Sequence, residues 1–246
     1  MTVLLRSEER EYLVEPGEEL QTDLGVLSVP EDVVAGDYLE THLGHPFVAR
    51  ELRVPDFFTH FERSGAPMLP SDIGTLIGEV GVQVGDRILD VGTGTGVLAA
   101  ALARCGAEVT SYEQDPEAAE LARTNFAKVE LSDRVTVQTG DALEELDIDA
   151  HPPIEVLTLD TGDAPELIEL AAELVVPGGF IAAYSPFVES TAAIVRTARK
   201  HCRSVQANES IRRELTVEER GTRPSTKPVG HTGYLVIGRR DATPDQ

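Results

Sequence analysis

From Gly85 onward, short apolar runs alternate with longer segments in which apolar residues recur every three or four positions. The short runs predict five strands: Arg87–Val91, Glu108–Glu113, Arg134–Thr139, Ile154–Asp160 and Phe180–Tyr184. The longer segments predict four helices: Val97–Arg104, Pro116–Val129, Ala164–Leu174 and Val188–Cys202, with Pro177-Gly178-Gly179 ending the third. Strict alternation of strands and helices is typical of a doubly wound α/β domain, in which ligands bind at the carboxyl ends of the strands.

Two flanking regions extend this domain. Before the first strand, Ser71-Asp72 can cap a helix at Ile73–Val80. After the last helix, the segments Val205–Val217 and Gly233–Gly238 are strand-like and have no helical pattern between them. They predict an antiparallel hairpin that closes one edge of the sheet, which brings the sheet to seven strands.

Residues 1–64 differ from the rest of the chain. They contain short strand-like pieces separated by turn signals such as Pro16-Gly17, and no amphipathic helix of useful length. The pattern predicts a small β-rich domain at 1–64 and the α/β domain at 65–246. Two interpretations of the small domain remain open: substrate recognition, or a structural cap or oligomer contact.

The first strand of the α/β domain runs directly into a glycine-rich turn, Asp90-Val-Gly92-Thr93-Gly94-Thr-Gly96, and a helix follows at once. Glycine permits a tight turn and allows a ligand to approach the bare backbone. The new helix offers free N–H groups and the positive end of its dipole. This arrangement predicts a site for a nucleotide-type cofactor.

Three acidic residues fall where strands are predicted to end: Glu113, Asp141 and Asp160. An acid after the second strand can accept hydrogen bonds from a ribose diol. Asp141 is placed to meet an adenine amino group, or it caps a helical turn at Ala142–Leu146. Each acid alone could be a solvated loop residue, but three at the same edge of one sheet favour a shared site.

The motif Asp90-Val-Gly-Thr-Gly-Thr-Gly96 resembles motif I of the Rossmann-like S-adenosylmethionine-dependent methyltransferases, and the closing hairpin also resembles that family. The resemblance implies that Asp90 to Gly96 contact the methionine part of the cofactor, Glu113 the ribose and Asp141 the adenine. The implied cofactor-binding set is Asp90, Gly92, Thr93, Gly94, Gly96, Glu113, Gln114, Asp141, Ala142 and Asp160.

Further stretches resemble the TrmI-type tRNA (adenine-N1)-methyltransferases of bacteria and archaea. They are Arg223-Pro followed by His231-Thr-Gly-Tyr-Leu, Tyr184-Ser-Pro, Thr41-His-Leu-Gly-His, and Arg63 through Leu69-Pro70-Ser-Asp72. The resemblance implies methylation of N1 of adenine in the tRNA T-loop, at position 58 and in archaea also 57, by a homotetramer. It gives Asp160 the catalytic role beside the adenine N6 group. Tyr184, His231 and Arg63 are candidates for substrate binding, and for His231 a structural role at the start of a strand stays open as well.

The chain departs from that family at two places. Leu69 stands where many relatives have tyrosine, and the loop after Asp160 lacks the usual Pro-Trp pair; the chain has no tryptophan at all. A flipped base would then stack on one of the remaining aromatic residues: Phe57, Phe58, Phe61, Tyr184 or Phe187. Two alternatives therefore stay open: a methyltransferase acting on a small molecule or a protein carboxylate, and a non-catalytic partner subunit.

The charge of the chain adds one hypothesis. Asp and Glu total 43 against 21 Lys and Arg, a net charge of −22, and only three basic residues are lysines. Molar salt would screen the self-repulsion of such a surface, because the Debye length is then about 3 Å. The composition favours a protein of a high-salt cytoplasm, such as that of a halophilic archaeon, so acidity does not exclude a nucleic acid as substrate. Arg50, Arg53, Arg63 and Arg223 are the candidates for contacts to it.

Other features of the composition point to a cytoplasmic enzyme without a metal. No apolar run is long enough to span a membrane, and the N-terminus lacks the layout of a signal peptide. The histidines show no ligand spacing, and Cys105 and Cys202 show no metal or redox spacing. We therefore expect two reduced thiols, no metal and no membrane partner.

Overall fold

The computed structural model describes residues 2–8, 10–227 and 229–241 of the chain. Pro228 of the C-terminal motif and residues 242–246 of the predicted α/β domain lie outside the described residues. The elements of the N-terminal part are β1 (Val3–Ser7), β2 (Arg10–Val14), β3 (Glu19–Thr22), β4 (Gly25–Ser28), β5 (Tyr38–Glu40), β6 (Pro46–Arg50) and α1 (Val54–His60).

The N-terminal strands form an antiparallel sheet in the order β2-β1-β6-β5, with β3 and β4 paired as a separate hairpin. Leu5, Leu27 and Phe47 are fully buried between them. Helix α1 was not expected from the sequence. It has only seven residues, too few to show a helical period; the Asp56 carboxylate accepts the Arg53 N–H at 2.7 Å and closes its first turn.

The second part alternates between helix and strand. Its helices are α2 (Pro70–Val80), α3 (Val97–Arg104), α4 (Pro116–Lys128), α5 (Ala142–Glu145), α6 (Ala164–Ala171), extended by a 3₁₀ turn at Ala172–Leu174, and α7 (Val188–His201). Its strands are β7 (Arg87–Val91), β8 (Glu108–Glu113), β9 (Val135–Thr139), β10 (Ile154–Leu159), β11 (Val175–Ser185), β12 (Ser204–Glu209), β13 (Leu215–Glu218), β14 (Gly221–Pro224) and β15 (Tyr234–Arg239).

Seven of these strands form one sheet in the order β12-β15-β11-β10-β7-β8-β9. All neighbours are parallel except β15, which is antiparallel to both β11 and β12. The order confirms the predicted Rossmann-like, doubly wound sheet of seven strands with a small β region in front. The chain reverses its direction of travel across the sheet between β7 and β10, so the carboxyl ends of these two strands form the crevice where ligands bind in such folds.

Alternating residues of the central strands face two hydrophobic layers. Ile88 and Val156 pack on one side of the sheet, and Leu89 and Leu157 pack on the other with α6 and α7. The first layer also contains Phe57 of α1, so the N-terminal part and the sheet share one core. The domain boundary at residue 64 stays a prediction.

Two predicted strands have other bounds in the structure. The expected fifth strand, Phe180–Tyr184, begins at Val175, because β11 continues through Pro177-Gly178-Gly179 with a shift of register against β10. The expected strand Val205–Val217 is divided: β12 pairs with β15 at the sheet edge, whereas β13 pairs with β14 in a hairpin of its own. The loop 210–214 between β12 and β13 therefore leaves the sheet.

The start of α2 also differs from the expectation. Its N-cap residue is Leu69 and its first residue is Pro70, so Ser71 and Asp72 lie in the first turn instead of capping the helix. Proline suits this position, since the missing N–H would have no partner within the helix. Asp72 is 3% exposed, which is unusual for an aspartate.

Candidate functional site

The glycine turn lies directly against the end of β10. Gly92 has a φ of +96°, and a Cβ atom there would lie 2.3 Å from the carbonyl oxygen of Asp160. Gly96, with a φ of +85°, has the Phe126 ring where a Cβ would be, at 2.6 Å. The backbone of the turn therefore touches Asp160 on one side and helix α4 on the other, and no larger residue fits at either position.

Two adjoining cavities open around this turn. The larger, of about 400 Å³, lies at the ends of β7 to β10. Its lining includes the predicted cofactor residues Gly92, Gly94, Glu113, Gln114, Asp141, Ala142 and Asp160. The smaller, of about 70 Å³, lies between residues 64–68 and the turn, and its lining includes Thr93, Gly96 and Val97. Among the described residues, Asp160 is the only ionisable one that lines both cavities.

The acidic side chains of the larger cavity already hold parts of the backbone. Glu113 accepts the Gly94 N–H at 2.8 Å through Oε2 and the Asp115 N–H at 3.0 Å through Oε1. Asp141 caps α5 by accepting the Leu143 N–H at 2.9 Å through Oδ1. For Asp141 the two interpretations of the sequence are compatible, because it caps the helix and lines the cavity at once.

The charge of the cavity lining discriminates between cofactors. The described lining residues of both cavities include Glu113, Asp141, Asp160 and Asp163, and no lysine, arginine or histidine. Carboxylates repel a pyrophosphate but attract a sulfonium cation, and they accept hydrogen bonds from ribose hydroxyls and an adenine amino group. The residues present therefore fit S-adenosylmethionine, whose carboxylate the N–H groups at the start of α3 can receive.

Asp90 has a different place from the other acids. It is 1% exposed and lines neither cavity among the described residues. Its carboxylate accepts the hydroxyls of Ser111 and Thr158, each at 2.6 Å, and so joins β7 to both neighbouring strands. Burial raises the pKa of Asp90, while these two hydrogen bonds lower it. The direct cofactor contact of Asp90 stays a prediction; the structure shows a residue that fixes the strand ends below the turn.

Asp160 is the titratable group that stands out in the cavity. Burial, followed by the nearby charge of Asp90, raises the pKa of Asp160 from 3.8 to about 6. A carboxyl group with a pKa near neutrality can accept or release a proton under ordinary conditions. A bound cation would favour its ionised form.

Tyr184 stands at the carboxyl end of β11, close to Asp160. Burial raises the pKa of its phenol, the nearby Thr232 hydroxyl lowers it in part, and the charges of Asp72 and Asp160 raise it. A Cβ at Gly233 would lie 2.4 Å from the phenol oxygen, so the Thr-Gly pair before β15 forms one wall around Tyr184. Leu159 of β10 pairs with Ala183 of β11, so the residues that follow them, Asp160 and Tyr184, are neighbours at the sheet edge, although Tyr184 is not among the described lining residues of either cavity.

His231 and Arg63 are engaged with other parts of the chain. The nitrogens of His231 lie 2.8 Å from a Glu209 carboxylate oxygen and 3.0 Å from the Pro186 carbonyl oxygen. Both partners are acceptors, and they raise the pKa of His231, the Pro186 carbonyl more than Glu209. Arg63 donates to the Phe58 carbonyl oxygen at 2.9 Å and covers the Phe58 ring. Substrate contacts of His231 and Arg63 stay predictions.

Two buried polar residues near the site, Asn125 and Asp72, were not predicted as site residues from the sequence. Asn125 of α4 is fully buried; it donates to the carbonyl oxygens of Glu62 and Thr95 at 2.9 and 3.1 Å and accepts the Glu62 N–H at 3.1 Å. It thereby ties the segment before residue 64 to the glycine turn. Asp72, expected as a helix cap, has a buried Oδ2 without a hydrogen-bond partner among the described residues. In the sequence, both residues could have been recognised because each is a polar residue on the apolar side of its helix.

The described residues contain no group of three or more His, Cys, Asp or Glu side chains that could hold a metal ion. Within the same residues, no helix is long and apolar enough to cross a membrane.

Comparison with known proteins first defines the class of enzyme. A family model described as a methyltransferase domain matches residues 88–179, which contain the glycine turn and the ends of β7 to β10. The fold and this match define an S-adenosylmethionine-dependent methyltransferase, as predicted.

Curated relatives then define the family. The tRNA (adenine(58)-N(1))-methyltransferase TrmI of Thermus thermophilus is 30% identical over 94% of this chain and 93% of its own length. The tRNA (adenine(57)-N(1)/adenine(58)-N(1))-methyltransferase TrmI of Methanocaldococcus jannaschii is 29% identical over 94% and 91%. The chain belongs to the TrmI-type family of tRNA (adenine-N1)-methyltransferases.

Solved structures agree on the fold along the whole chain. An S-adenosylmethionine-dependent O-methyltransferase from Thermotoga maritima is 27% identical to this chain with a TM-score of 0.83. The match covers 100% of this chain and 94% of the Thermotoga maritima chain. The tRNA (m1A58) methyltransferase TrmI from Aquifex aeolicus has a TM-score of 0.75 at 22% identity, covering 99% and 98%. The likeness therefore includes the N-terminal β region as well as the seven-stranded sheet.

Proposed function

We propose that this protein transfers a methyl group from S-adenosylmethionine to N1 of adenine 58 in the T-loop of tRNA. The observation that carries the proposal is the position of Asp160. It lines both cavities, touches the glycine turn through its backbone, and has a pKa raised to about 6. Family membership over 94% of the chain supports the choice of substrate.

The chemistry needs positioning more than activation. When bound, S-adenosylmethionine supplies the methyl group on its sulfonium sulfur. N1 of adenine is already a nucleophile, so holding it in line at near-attack distance removes several kcal/mol of the barrier. Alkylation at N1 leaves a positive charge on the base and so makes the exocyclic N6 group acidic. The Asp160 carboxylate then stabilises this positive charge or accepts the proton from N6.

The target base must leave the stack to reach Asp160, and an aromatic ring is the usual support for it. Phe57 and Phe61 cannot serve, because both are buried in the core and stack on each other at 5.0 Å. Phe58 lies under the Arg63 guanidinium. Tyr184 beside Asp160, with the exposed Phe187 three residues further on, remains as the support for the base.

Several finer expectations belong to the same proposal. Adenine 57 is a second target, as the name of the Methanocaldococcus jannaschii relative says of that protein. The protein assembles as a homotetramer and acts in the cytoplasm, where tRNA is modified. Its net charge of −22 supports activity at molar salt, in the manner of a halophilic archaeon.

A second candidate is methyl transfer to an oxygen nucleophile on a small molecule or a protein carboxylate. The likeness to the Thermotoga maritima structure, which is named as an O-methyltransferase, favours it. The acidic lining of the two cavities does not by itself select a nitrogen nucleophile over an oxygen nucleophile. A non-catalytic partner subunit is the third alternative, and the intact glycine turn and Asp160 argue against it.

The test is transfer of a tritiated methyl group from S-adenosylmethionine to an unmodified tRNA transcript at molar KCl. We expect label in the transcript with adenine at 58, and further label at 57 if adenine stands there. Asp160→Ala should abolish transfer, while cofactor binding becomes weaker but stays detectable by titration calorimetry. Cofactor binding by the wild type without labelled tRNA would reject the tRNA proposal, and label in transcripts without adenine at 57 and 58 would reject the assigned position.

A further inference from the structure

A cleft of about 330 Å³ opens beside the candidate site, between the start of α2 and the segments around β13 and β14. Its lining includes Arg212, Arg213 and Lys227, together with the hydroxyl residues Ser71, Ser225 and Thr232. We name this the basic cleft. No other cavity described above has an arginine in its lining among the described residues.

The two arginines of the basic cleft are not neutralised. Lys227 pairs with Glu214 at 3.1 Å, and both residues line the cleft, so this pair contributes no net charge. Arg212 and Arg213 are exposed and have no ion pair, hydrogen bond or ring contact among the described residues. In a chain with a net charge of −22, two adjacent unpaired guanidinium groups are an exception to the prevailing charge.

Of the four arginines nominated from the sequence, Arg63 has no ion pair among the described residues but is held on the Phe58 carbonyl and ring, and the other three lie near carboxylates. Arg53 lies 3.1 Å from a Glu51 oxygen, Arg50 lies 3.9 Å from Glu11, and Arg223 lies 3.9 Å from Glu218. Within the described residues, Arg196 and Arg199 on α7 are the only other arginines without a partner of any kind. Their helix packs on β11, β12 and β15, and neither residue lines the basic cleft.

The basic cleft and the candidate site have no lining residue in common among the described residues, but their linings are adjacent in the chain. Thr232 lines the cleft, and the next residue, Gly233, lies against the Tyr184 phenol. Leu69 and Ser71 line it as well, and the residues just before them, 64–68, line the smaller cavity of the cofactor site. A nucleic-acid strand lying in the cleft would therefore have its neighbouring nucleotide next to Tyr184.

We propose that the basic cleft binds the RNA backbone beside the target nucleotide, with Arg212 and Arg213 on its phosphates. Guanidinium groups suit this task because they bind phosphate oxygens in a bidentate way, and the surrounding hydroxyls can bind phosphate or ribose. The inference rests on the proposed function, since it places the tRNA that function requires. It assigns the loop between β12 and β13 to substrate binding.

The test uses the double variant Arg212→Gln/Arg213→Gln in the full chain. Two lost phosphate contacts lower the slope of log Kd against log salt by about 1.5. Relative to wild type, tRNA binding then weakens about tenfold at 0.2 M KCl and about threefold at 0.5 M, and the difference vanishes near 1 M. Binding of a labelled tRNA transcript is measured by fluorescence anisotropy, and the slopes are compared over the salt range in which circular dichroism shows that the wild type and the variants are folded.

The matched control is Arg196→Gln/Arg199→Gln, which removes the same charge from exposed, unpaired arginines of α7. We expect it to keep the salt slope of the wild type, and both variants to keep the affinity for S-adenosylmethionine. Equal loss of tRNA binding in the two variants would overturn the proposal in favour of a general charge effect. Unchanged binding in the Arg212/Arg213 variant, while the wild type methylates tRNA, would overturn it and leave the proposed function standing.

Light scattering after size exclusion separates one more explanation. If the Arg212/Arg213 variant dissociates into smaller species and the wild type does not, the arginines bind another subunit, and the proposal is overturned. A wild type that neither binds nor methylates tRNA would instead reject the proposed function, and this inference with it.

Discussion

Replacing Asp160 by asparagine should stabilise the protein at neutral pH while it removes the activity. The substitution keeps the shape of the side chain and removes its charge. Burial and the neighbouring Asp90 raise the pKa of Asp160 from 3.8 to about 6. Above this pH, the folded protein has to hold an ionised carboxylate where the fold disfavours it, so a neutral amide is the better fit.

The sign and the size of this stability change follow from the linkage between proton binding and folding. The folded protein binds this proton more tightly than the unfolded chain, so the contribution of Asp160 to stability is greatest in acid and falls as the pH rises from about 4 through about 6. A change of roughly 2 pKa units corresponds to about 3 kcal/mol, and partial solvent access lowers the expected value to about 1–3 kcal/mol. The stabilisation of Asp160→Asn over wild type should therefore be small at pH 4.5 and complete above pH 7.

The assay is denaturant unfolding of wild type and variant at a series of pH values, at constant molar KCl and without cofactor. Taking the difference between the two proteins removes the contribution of the many other carboxylates. Asp163→Asn, an exposed carboxylate of the same cavity, is the matched control. A variant less stable than wild type at pH 7.5, or a difference in stability that does not depend on pH, would refute the conclusion that the fold disfavours the ionised form of Asp160.

Three further predictions concern the surroundings of the site. Gly92→Ala should weaken S-adenosylmethionine binding at least tenfold, because its Cβ would lie 2.3 Å from the Asp160 carbonyl oxygen; calorimetry measures this, and wild-type affinity would contradict it. Asn125→Ala should lower the free energy of unfolding by about 2–4 kcal/mol, since buried backbone groups lose their partners; a loss below 1 kcal/mol would show that water replaces the amide. His231→Gln should lower the melting temperature at pH 5.5 but not at pH 8.5, because the raised pKa of His231 adds stability only where the imidazolium forms; an equal effect at both pH values would point to packing alone.

The central part of the fold could be predicted from local patterns. The strand Arg87–Val91 and the helix Val97–Arg104 have the predicted bounds, because the apolar run and the glycine turn determine them without help from distant residues. The positions of Glu113, Asp141 and Asp160 could be predicted in the same way. Glu113 is the last residue of β8, the two aspartates come just after β9 and β10, and parallel strands bring their carboxyl ends together at one edge.

Features that depend on contacts between distant segments could not be predicted in the same way. The division of Val205–Val217 depends on which partner each half finds, β15 or β14, and periodicity contains no information on pairing. The burial of Asn125 and Asp72 depends on segments that are far away in the chain. Local rules instead assign a Ser-Asp pair before a helix to capping.

Methylation at N1 of adenine 58 can be measured by mass spectrometry of tRNA from a strain that lacks this chain. We expect N1-methyladenosine to disappear from position 58 of the T-loop. The wild-type gene should restore it, whereas the gene for Asp160→Ala should not. N1-methyladenosine present at position 58 in the deletion strain at the wild-type level would show that this protein does not methylate adenine 58.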